Sequence, residues 1–486
     1  MNGPTISWPQ ARPLRHEPLT NGRPRLVALA LLVSLAFTAP SPGRPEGGRE
    51  ACPLAGVLPP SMPHDLADRI ESLPGLGCVA GLQLAGYLPV SDHQAYPGKV
   101  FYWFVASADA PDRAPIVFWL NGGPGSSSLF GLFAENGPYE ITPDGRLTAR
   151  RYSWAERTSY LVIEQTTSVG LSVASPAPLR DEAQAMDQLW YALQAFFQKY
   201  PELRSRPLYL AGQSYAGKYL PQLAARLLRD RRDADGQQTG LDLRGLLVGD
   251  GWVDPLVQQS ADADFAYAHG LIDAATRAEV ERLYAECTRA ILRQTPSSRE
   301  ANQLCGKMQD LIKASSGLAQ TTNLRVPETT PTPPVGDLLA RYLDSPAVRL
   351  ALRVDPSAPK FEVFSRRTEQ ELEVGEQDSA AHLYPAILAA GVPVLVYNGL
   401  EDGTDSNFMG TDRWLARLAW PGRDAFAAAR TCPWRGPSGV VAGSARSARG
   451  LTQVKIRGAG HLAPADQPRS VQDMLHRFVF GQDFCR

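Results

Sequence analysis

Leu208-Tyr209-Leu210-Ala211-Gly212-Gln213-Ser214-Tyr215-Ala216-Gly217-Lys218-Tyr219 decides the reading of this chain. An apolar run enters Gly-x-Ser-x-Ala-Gly and leaves into an apolar helical pattern. A serine on so sharp a strand-to-helix turn has its hydroxyl lifted clear of the sheet. Small residues flank it because a larger side chain would crowd the turn. Ala216 stands where a second glycine is commoner, and Gly217 follows at once. The helix beginning behind Ser214 puts partial positive charge where an oxyanion would develop. The bare pattern is loose. The strand before it and the helix after it make Ser214 a candidate nucleophile.

A serine nucleophile needs a base, and the base needs an acid to orient it. Among seven histidines, His461 has the fitting context. It follows an apolar run, Leu451–Ile456, and the glycine-rich turn Arg457-Gly458-Ala459-Gly460. Tyr397-Asn398-Gly399-Leu400-Glu401-Asp402 closes another apolar run, so Asp402 is the candidate acid, with Glu401 and Asp405 as rivals. The order Ser…Asp…His is that of α/β hydrolases and differs from the chymotrypsin and subtilisin orders. An oxyanion hole then takes one N–H from the residue after the nucleophile and one from an earlier loop. Tyr215 supplies the first. Trp119-Leu120-Asn121-Gly122-Gly123-Pro124-Gly125 is the conspicuous earlier loop and assigns the second to Gly123.

The rest of the chain fits that frame. Apolar runs at 99–106, 115–120, 160–164, 207–211, 243–248, 393–397 and 451–456 predict strands, several buried on both faces. Between Asp181 and Tyr200, Met186, Leu189, Trp190, Leu193, Phe196 and Phe197 recur at helical spacing, and Tyr219–Arg229 predicts a second helix. Alternating strands and helices imply an α/β fold: an α/β-hydrolase with a mostly parallel central sheet flanked by helices. Residues 256–380 break the rhythm with helical and loop-rich sequence and are read as a cap insertion. The expected division is a signal peptide or signal anchor over 1–40, a Pro/Gly-rich linker over 41–78, and a core in two parts, 79–255 and 381–486. Arg23 and Arg25 precede an apolar run from Leu26 to Phe37, shorter than the ~20 residues that cross a bilayer.

Composition narrows the function. A net charge of −1 over 486 residues gives no general pull toward nucleic acid or anionic membrane. No membrane association is expected once the leader is removed. Six cysteines behind an export signal permit disulfides, and Cys287–Cys305 is the nearest-neighbour pairing. No HExxH, EF-hand loop, P-loop or strand-linked GxGxxG is present, so neither metal nor other cofactor is expected. A homodimer stays open, since no residue pattern specifies an oligomeric state.

At this point the chain resembles the serine carboxypeptidases, including the cathepsin A branch. Blocks from about Gln83 to Phe484 match in order: Ala85-Gly86-Tyr87-Leu88; Trp119 through Gly125 with Ser127-Ser128; Tyr152-Ser153-Trp154; Gly251-Trp252-Val253-Asp254-Pro255; Asn407-Phe408-Met409-Gly410; and Gly458-Ala459-Gly460-His461 with Asp466-Gln467-Pro468. The resemblance implies release of a C-terminal residue from peptides through an acyl-enzyme, in the secretory pathway, outside the cell or in a lysosome- or vacuole-like compartment. It implies a triad of Ser214, Asp402 and His461, with Gly123 and Tyr215 at the oxyanion. It also implies a grip on the substrate's terminal carboxylate by Asn121, the Gly122 backbone, Glu135 and the residue before the nucleophile.

Three positions depart from the family pattern. Gln213 replaces the usual Glu. Ser126 stands where a cysteine commonly ties the loop to the cap. The spacing from Asp402 to Asn407 is longer by one residue. An acyltransferase or esterase on the same scaffold, or a binding or protective partner with vestigial catalysis, therefore stands beside the peptidase reading.

Overall fold

Apolar runs too short for helices and bounded by turns become strands, and ten of them join one sheet. They are β1 (Gln83–Pro89), β2 (Lys99–Val105), β3 (Ile116–Leu120), β4 (Ser159–Ile163), β5 (Leu208–Gln213), β6 (Leu243–Gly249), β7 (Val394–Gly399), β8 (Cys432–Arg435), β9 (Val441–Ala448) and β10 (Leu451–Ile456). The order is β8-β9-β10-β7-β6-β5-β3-β4-β2-β1. The run from β10 to β4 is parallel, and antiparallel strands close both edges. The computed structural model describes residue 52 and residues 61–63, 65–91, 98–230, 240–318, 320–326, 335–403 and 406–486. The expected targeting segment over 1–40 lies outside them.

Every residue of β3, β4, β5 and β7 is buried, as central parallel strands covered on both faces require. Side chains alternate between faces. Ile116, Phe118 and Leu120 join one hydrophobic cluster, while Val117 and Trp119 join the cluster on the other face. On the first face lie α1 (Glu182–Lys199) and α2 (Ala216–Arg229). Asp181 caps α1 by accepting the Gln184 N–H at 2.8 Å. The buried stripe of α1 includes Met186, Leu189, Leu193, Phe196 and Phe197. Helix α2 begins three residues earlier than its apolar pattern predicts, immediately behind Ser214.

Strands β1, β8 and β9 are not among the runs singled out in the sequence. Strand β9 reads Val-Ala-Gly-Ser-Ala-Arg-Ser-Ala, with only Gly443 and Ala445 fully buried. It is held by backbone pairing to β10, so it has little apolar pattern to show.

The stretch 41–78 reads as a linker by composition, yet its later part is folded. Ser72–Leu73 pairs antiparallel with Gly77–Cys78, and Cys78 is bridged to Cys52. Ile70 and Leu73 are each 1 % exposed. The Ile70 N–H donates to Gln83 O at 2.9 Å, binding this segment to the start of β1. Pro74 and Gly75 here make a tight turn, which composition alone does not separate from a flexible tether.

Within 256–380 the regular elements are helical. Helices α3 (Ala274–Ile291) and α4 (Arg299–Ser316) enclose a small core of their own, including Val280, Leu283, Met308 and Ile312. Cys287–Cys305 staples them, the pairing expected from sequence proximity; Cys432–Cys485 is the third bridge. The cysteine tether missing at Ser126 is replaced by backbone pairing. Ser126 bridges Phe364, Ser127 N–H donates to Val363 O at 2.8 Å, and Ser365 N–H donates to Gly125 O at 2.9 Å.

Because Ile70 and Leu73 are core residues, Ile70→Ala or Leu73→Ala should each cost ~2–4 kcal/mol of unfolding free energy. Urea denaturation reads this directly. Unchanged midpoints would mean that the segment is the tether its composition suggests.

Candidate active site

Parallel strands bring their carboxyl ends to one edge, and loops leaving that edge converge. Asn121–Gly123 follow β3, Ser214 follows β5, Asp250 follows β6, Asp402 follows β7 and His461 follows β10. Ser214 has φ +60°, the left-handed conformation that a non-glycine residue adopts only under constraint. Its N–H donates to Gly249 O at 3.0 Å, and its carbonyl accepts Trp252 N–H at 2.9 Å. The elbow is thus clamped from the neighbouring strand end. Gly122 lies so close to it that a Cβ would stand 2.4 Å from Tyr215 N and 2.8 Å from Ser214 Cβ. Gly123, Ser214 and Tyr215 line one cavity, so the two expected oxyanion donors and the nucleophile share a space.

His461 Nδ1 and Asp402 Oδ2 are hydrogen-bonded at 2.8 Å, with His461 7 % exposed and Asp402 fully buried. Among the described residues Asp402 is therefore the carboxylate at the imidazole. Its rival Glu401 contributes backbone instead, its N–H donating to Ala459 O at 2.8 Å. The other rival, Asp405, lies outside the described residues.

A strap from the insertion holds both loops. Thr322 O accepts His461 N–H at 2.7 Å, Thr321 O accepts Gly403 N–H at 2.8 Å, and Leu324 N–H donates to Glu401 O at 3.0 Å. Asn323 Nδ2 donates to Asp466 Oδ2 at 2.9 Å, and that same oxygen accepts Gly460 N–H at 2.7 Å. In the sequence this strap is only the start of a polar Thr-rich stretch.

The four carboxylate-grip residues also come together. Trp119 Nε1 and the Gly131 N–H both donate to Asn121 Oδ1, at 2.8 and 3.1 Å. That turns Asn121 Nδ2 toward Glu135 Oε1, at 2.7 Å. Gln213 Nε2 donates to the same Oε1 at 3.1 Å. Glu135 Oε2 and Gln213 Oε1 are buried with no hydrogen-bond partner among the described residues. Burial pushes the Glu135 carboxyl up to about 7, against the pull of Asn121, His461, Arg150 and Gln213. When protonated, Oε2 becomes a donor suited to a carboxylate.

Asp250 is the residue the sequence did not single out. It is fully buried with φ +42°. Its N–H donates to Tyr397 O at 2.8 Å, and its Oδ1 accepts Gly399 N–H at 2.8 Å. The turn Gly249–Trp252 thus ties the Ser214 elbow to the start of the Asp402 loop. Burial, then the charge of Asp402, hold the Asp250 carboxyl well above the usual range. The only hint in sequence is an acidic residue between two glycines at a strand end.

Comparison with known proteins follows the same lines. The family model described as serine carboxypeptidase matches residues 74–481. The probable serine carboxypeptidase CPVL of Homo sapiens is 30% identical over 484 residues, covering 93% of this chain and 97% of that protein. Serine carboxypeptidase-like 48 of Arabidopsis thaliana is 30% identical over 412 residues, covering 82% and 78%. Among solved structures, the prohormone-processing carboxypeptidase Kex1 of Saccharomyces cerevisiae superposes with a TM-score of 0.73 at 23% identity, covering 82% of this chain and 91% of that one. The structural likeness bears on the fold.

Asp250→Asn keeps an oxygen to accept Gly399 N–H, whereas Asp250→Ala removes that acceptor. Misplacing the acid loop should lower kcat ~10–100-fold in the Ala variant, with Asn nearer the parent. Steady-state kinetics with KM reported separately distinguishes positioning from lost substrate affinity; equal kcat in all three would remove Asp250 from the argument.

Proposed function

This chain belongs to the serine carboxypeptidase family and is a serine-type carboxypeptidase hydrolase, and from that premise we propose the roles of its site residues. Ser214 Oγ attacks the carbonyl of the last peptide bond as His461 takes its proton. Asp402, at Nδ1 of the imidazole, fixes its orientation and stabilises the imidazolium. The Gly123 and Tyr215 N–H groups stabilise the oxyanion. His461 then returns the proton to the leaving amine, the C-terminal amino acid departs, and an acyl-enzyme remains. Water, deprotonated by His461, attacks the acyl carbon, and the shortened peptide leaves as Ser214 regains its proton.

The observation that carries the exopeptidase reading is the buried cluster Asn121–Glu135–Gln213, one residue from the nucleophile. General esterases have no need of a buried donor set suited to a carboxylate. The substrate is accordingly a peptide or protein C-terminus. The pH dependence follows from Glu135. With its pKa raised to about 7 by burial, it holds a proton and donates below that value, and binding weakens as pH rises through it. Gln213 donates its N–H at any pH. A Glu there would put a second acid in the same dry site, and both would have to be protonated to hold a third carboxylate. Gln213 therefore supports peptidase action closer to neutrality.

Three disulfides among the described residues and a basic-then-apolar leader favour passage through the secretory pathway. No helix among the described residues is long and apolar enough to cross a membrane. Tagged full-length chain should be recovered in the exported fraction with its thiols oxidised; retention in the cytosol with free thiols would refute that location.

An N-blocked dipeptide and its C-terminal amide, assayed across pH with Ser214→Ala as blank, test the activity. The free acid should be preferred ~10-fold or more below pH 7, with the preference shrinking above it. Gln213→Glu should narrow the kcat/KM profile toward acid. Equal rates on acid and amide would favour an esterase or amidase instead.

A further inference from the structure

The cavity holding Ser214 has a volume of about 220 Å³. Ser214, Gly123 and Tyr215 form its catalytic side, and Gln259, Asn302, Glu376 and Gln377 face them. Neither Asn121, Glu135 nor Gln213 lines it. The cavity thus opens beside the nucleophile and the oxyanion donors and apart from the proposed carboxylate grip, as a site for the acyl-side residue of the substrate would.

The facing wall is polar and directional. Gln259 Nε2 donates to Gln377 Oε1, Gln377 Nε2 to Asn302 Oδ1, and Asn302 Nδ2 to Glu376 Oε2, each at 2.7 Å. Every bond runs one way and ends on the Glu376 carboxylate. Gln259 and Gln377 are 3 % and 4 % exposed, so the relay is fixed by packing. Glu376 is the one carboxylate among the lining residues, and none of them is Lys, Arg or His.

The surrounding charges offset it only in part. Lys218 is the cation that most opposes its burial, but its Nζ pairs with Glu182 at 3.0 Å and donates to the carbonyls of Gly375 and Glu376 at 2.6 and 3.4 Å. Arg299 lies 3.5 Å from Glu373. Glu369 and Glu373 add negative potential at Glu376. Burial, opposed chiefly by Lys218 and Asn302, pushes the Glu376 carboxyl up to about 7, so its pull on a cation strengthens as pH rises through that value. A desolvated carboxylate short of positive charge is relieved by a cation and worsened by an anion.

We propose that this cavity selects a Lys or Arg side chain at the penultimate position of the substrate, with Glu376 as the selecting group. The inference rests on the carboxypeptidase reading of Ser214 and adds a substrate class to it.

N-blocked dipeptide acids sharing one C-terminal residue and carrying Lys, Arg, Gln, Leu or Glu before it supply the test. The readout is the ratio of kcat/KM for Lys to that for Leu, which does not depend on the fraction of enzyme correctly folded. Assayed just above pH 7, where Glu376 is charged, the parent should favour Lys and Arg over Leu and Gln by about 10- to 100-fold, with Glu poorest and the preference shrinking toward acid. Glu376→Gln should bring the ratio toward one, and Glu376→Asp should keep part of it. A parent ratio near one, or a ratio that survives Glu376→Gln, overturns the inference while leaving carboxypeptidase action intact. No release from any of the peptides, measured against Ser214→Ala, overturns the carboxypeptidase roles and the selection with them.

Discussion

The register of the parallel strands is the constraint on which the site depends. Leu120 stands opposite Gly212 and Gly249 opposite both Gln213 and Tyr397, with Ile456 opposite Gly399. The loops that follow therefore leave from one edge. A slip of one residue in any pairing would turn that strand's side chains to the wrong face. It would also carry Ser214, Asp402 or His461 away from the others. Burial on both faces, with alternate residues of β3 shared between two cores, makes such a slip costly.

Around that edge the chain uses buried acids in three different ways. Asp402 is the one bonded to the imidazole. Glu135, raised to about 7, is poised to carry a proton and so to greet an anion. Asp250, its carboxyl raised by burial and by the charge of Asp402, serves as a bracket between two loops. A fourth, Glu164, lies under the oxyanion loop, accepting Ser127 Oγ–H at 2.5 Å and Ser128 N–H at 2.8 Å. Desolvation favours the protonated form of each carboxyl, and the donors around it decide how far that goes.

The insertion is more than a cover. Its Thr321–Leu324 strap holds the Asp402 and His461 loops together through backbone bonds. Its Val363–Ser365 segment pairs with the loop carrying Gly123 and Gly125. Its α4 and the Glu376 turn build the wall opposite Ser214. Removing it would cost positioning as well as specificity, because backbone bonds that fix the catalytic loops come from it.

Much of this was legible in the sequence, because the signals were local. Ser214 announced itself through a strand, a turn and a helix contiguous in the chain, and His461 and Asp402 each through a strand end. The buried strands showed as apolar runs for the same reason, while strand β9, half exposed and made of small residues, left no trace. What the sequence did not disclose was non-local. Asp250 acquires its meaning from Gly399, Thr322 from His461, and Glu376 from Gln259 and Asn302. Gln213 was visible as a departure, but its target, Glu135 Oε1, was set by folding. The sequence determined the candidates for the chemistry, since a candidate nucleophile and its turn are written in a dozen consecutive residues. The tertiary structure decided what surrounds them, since a buried carboxyl's charge and partner depend on neighbours hundreds of residues away.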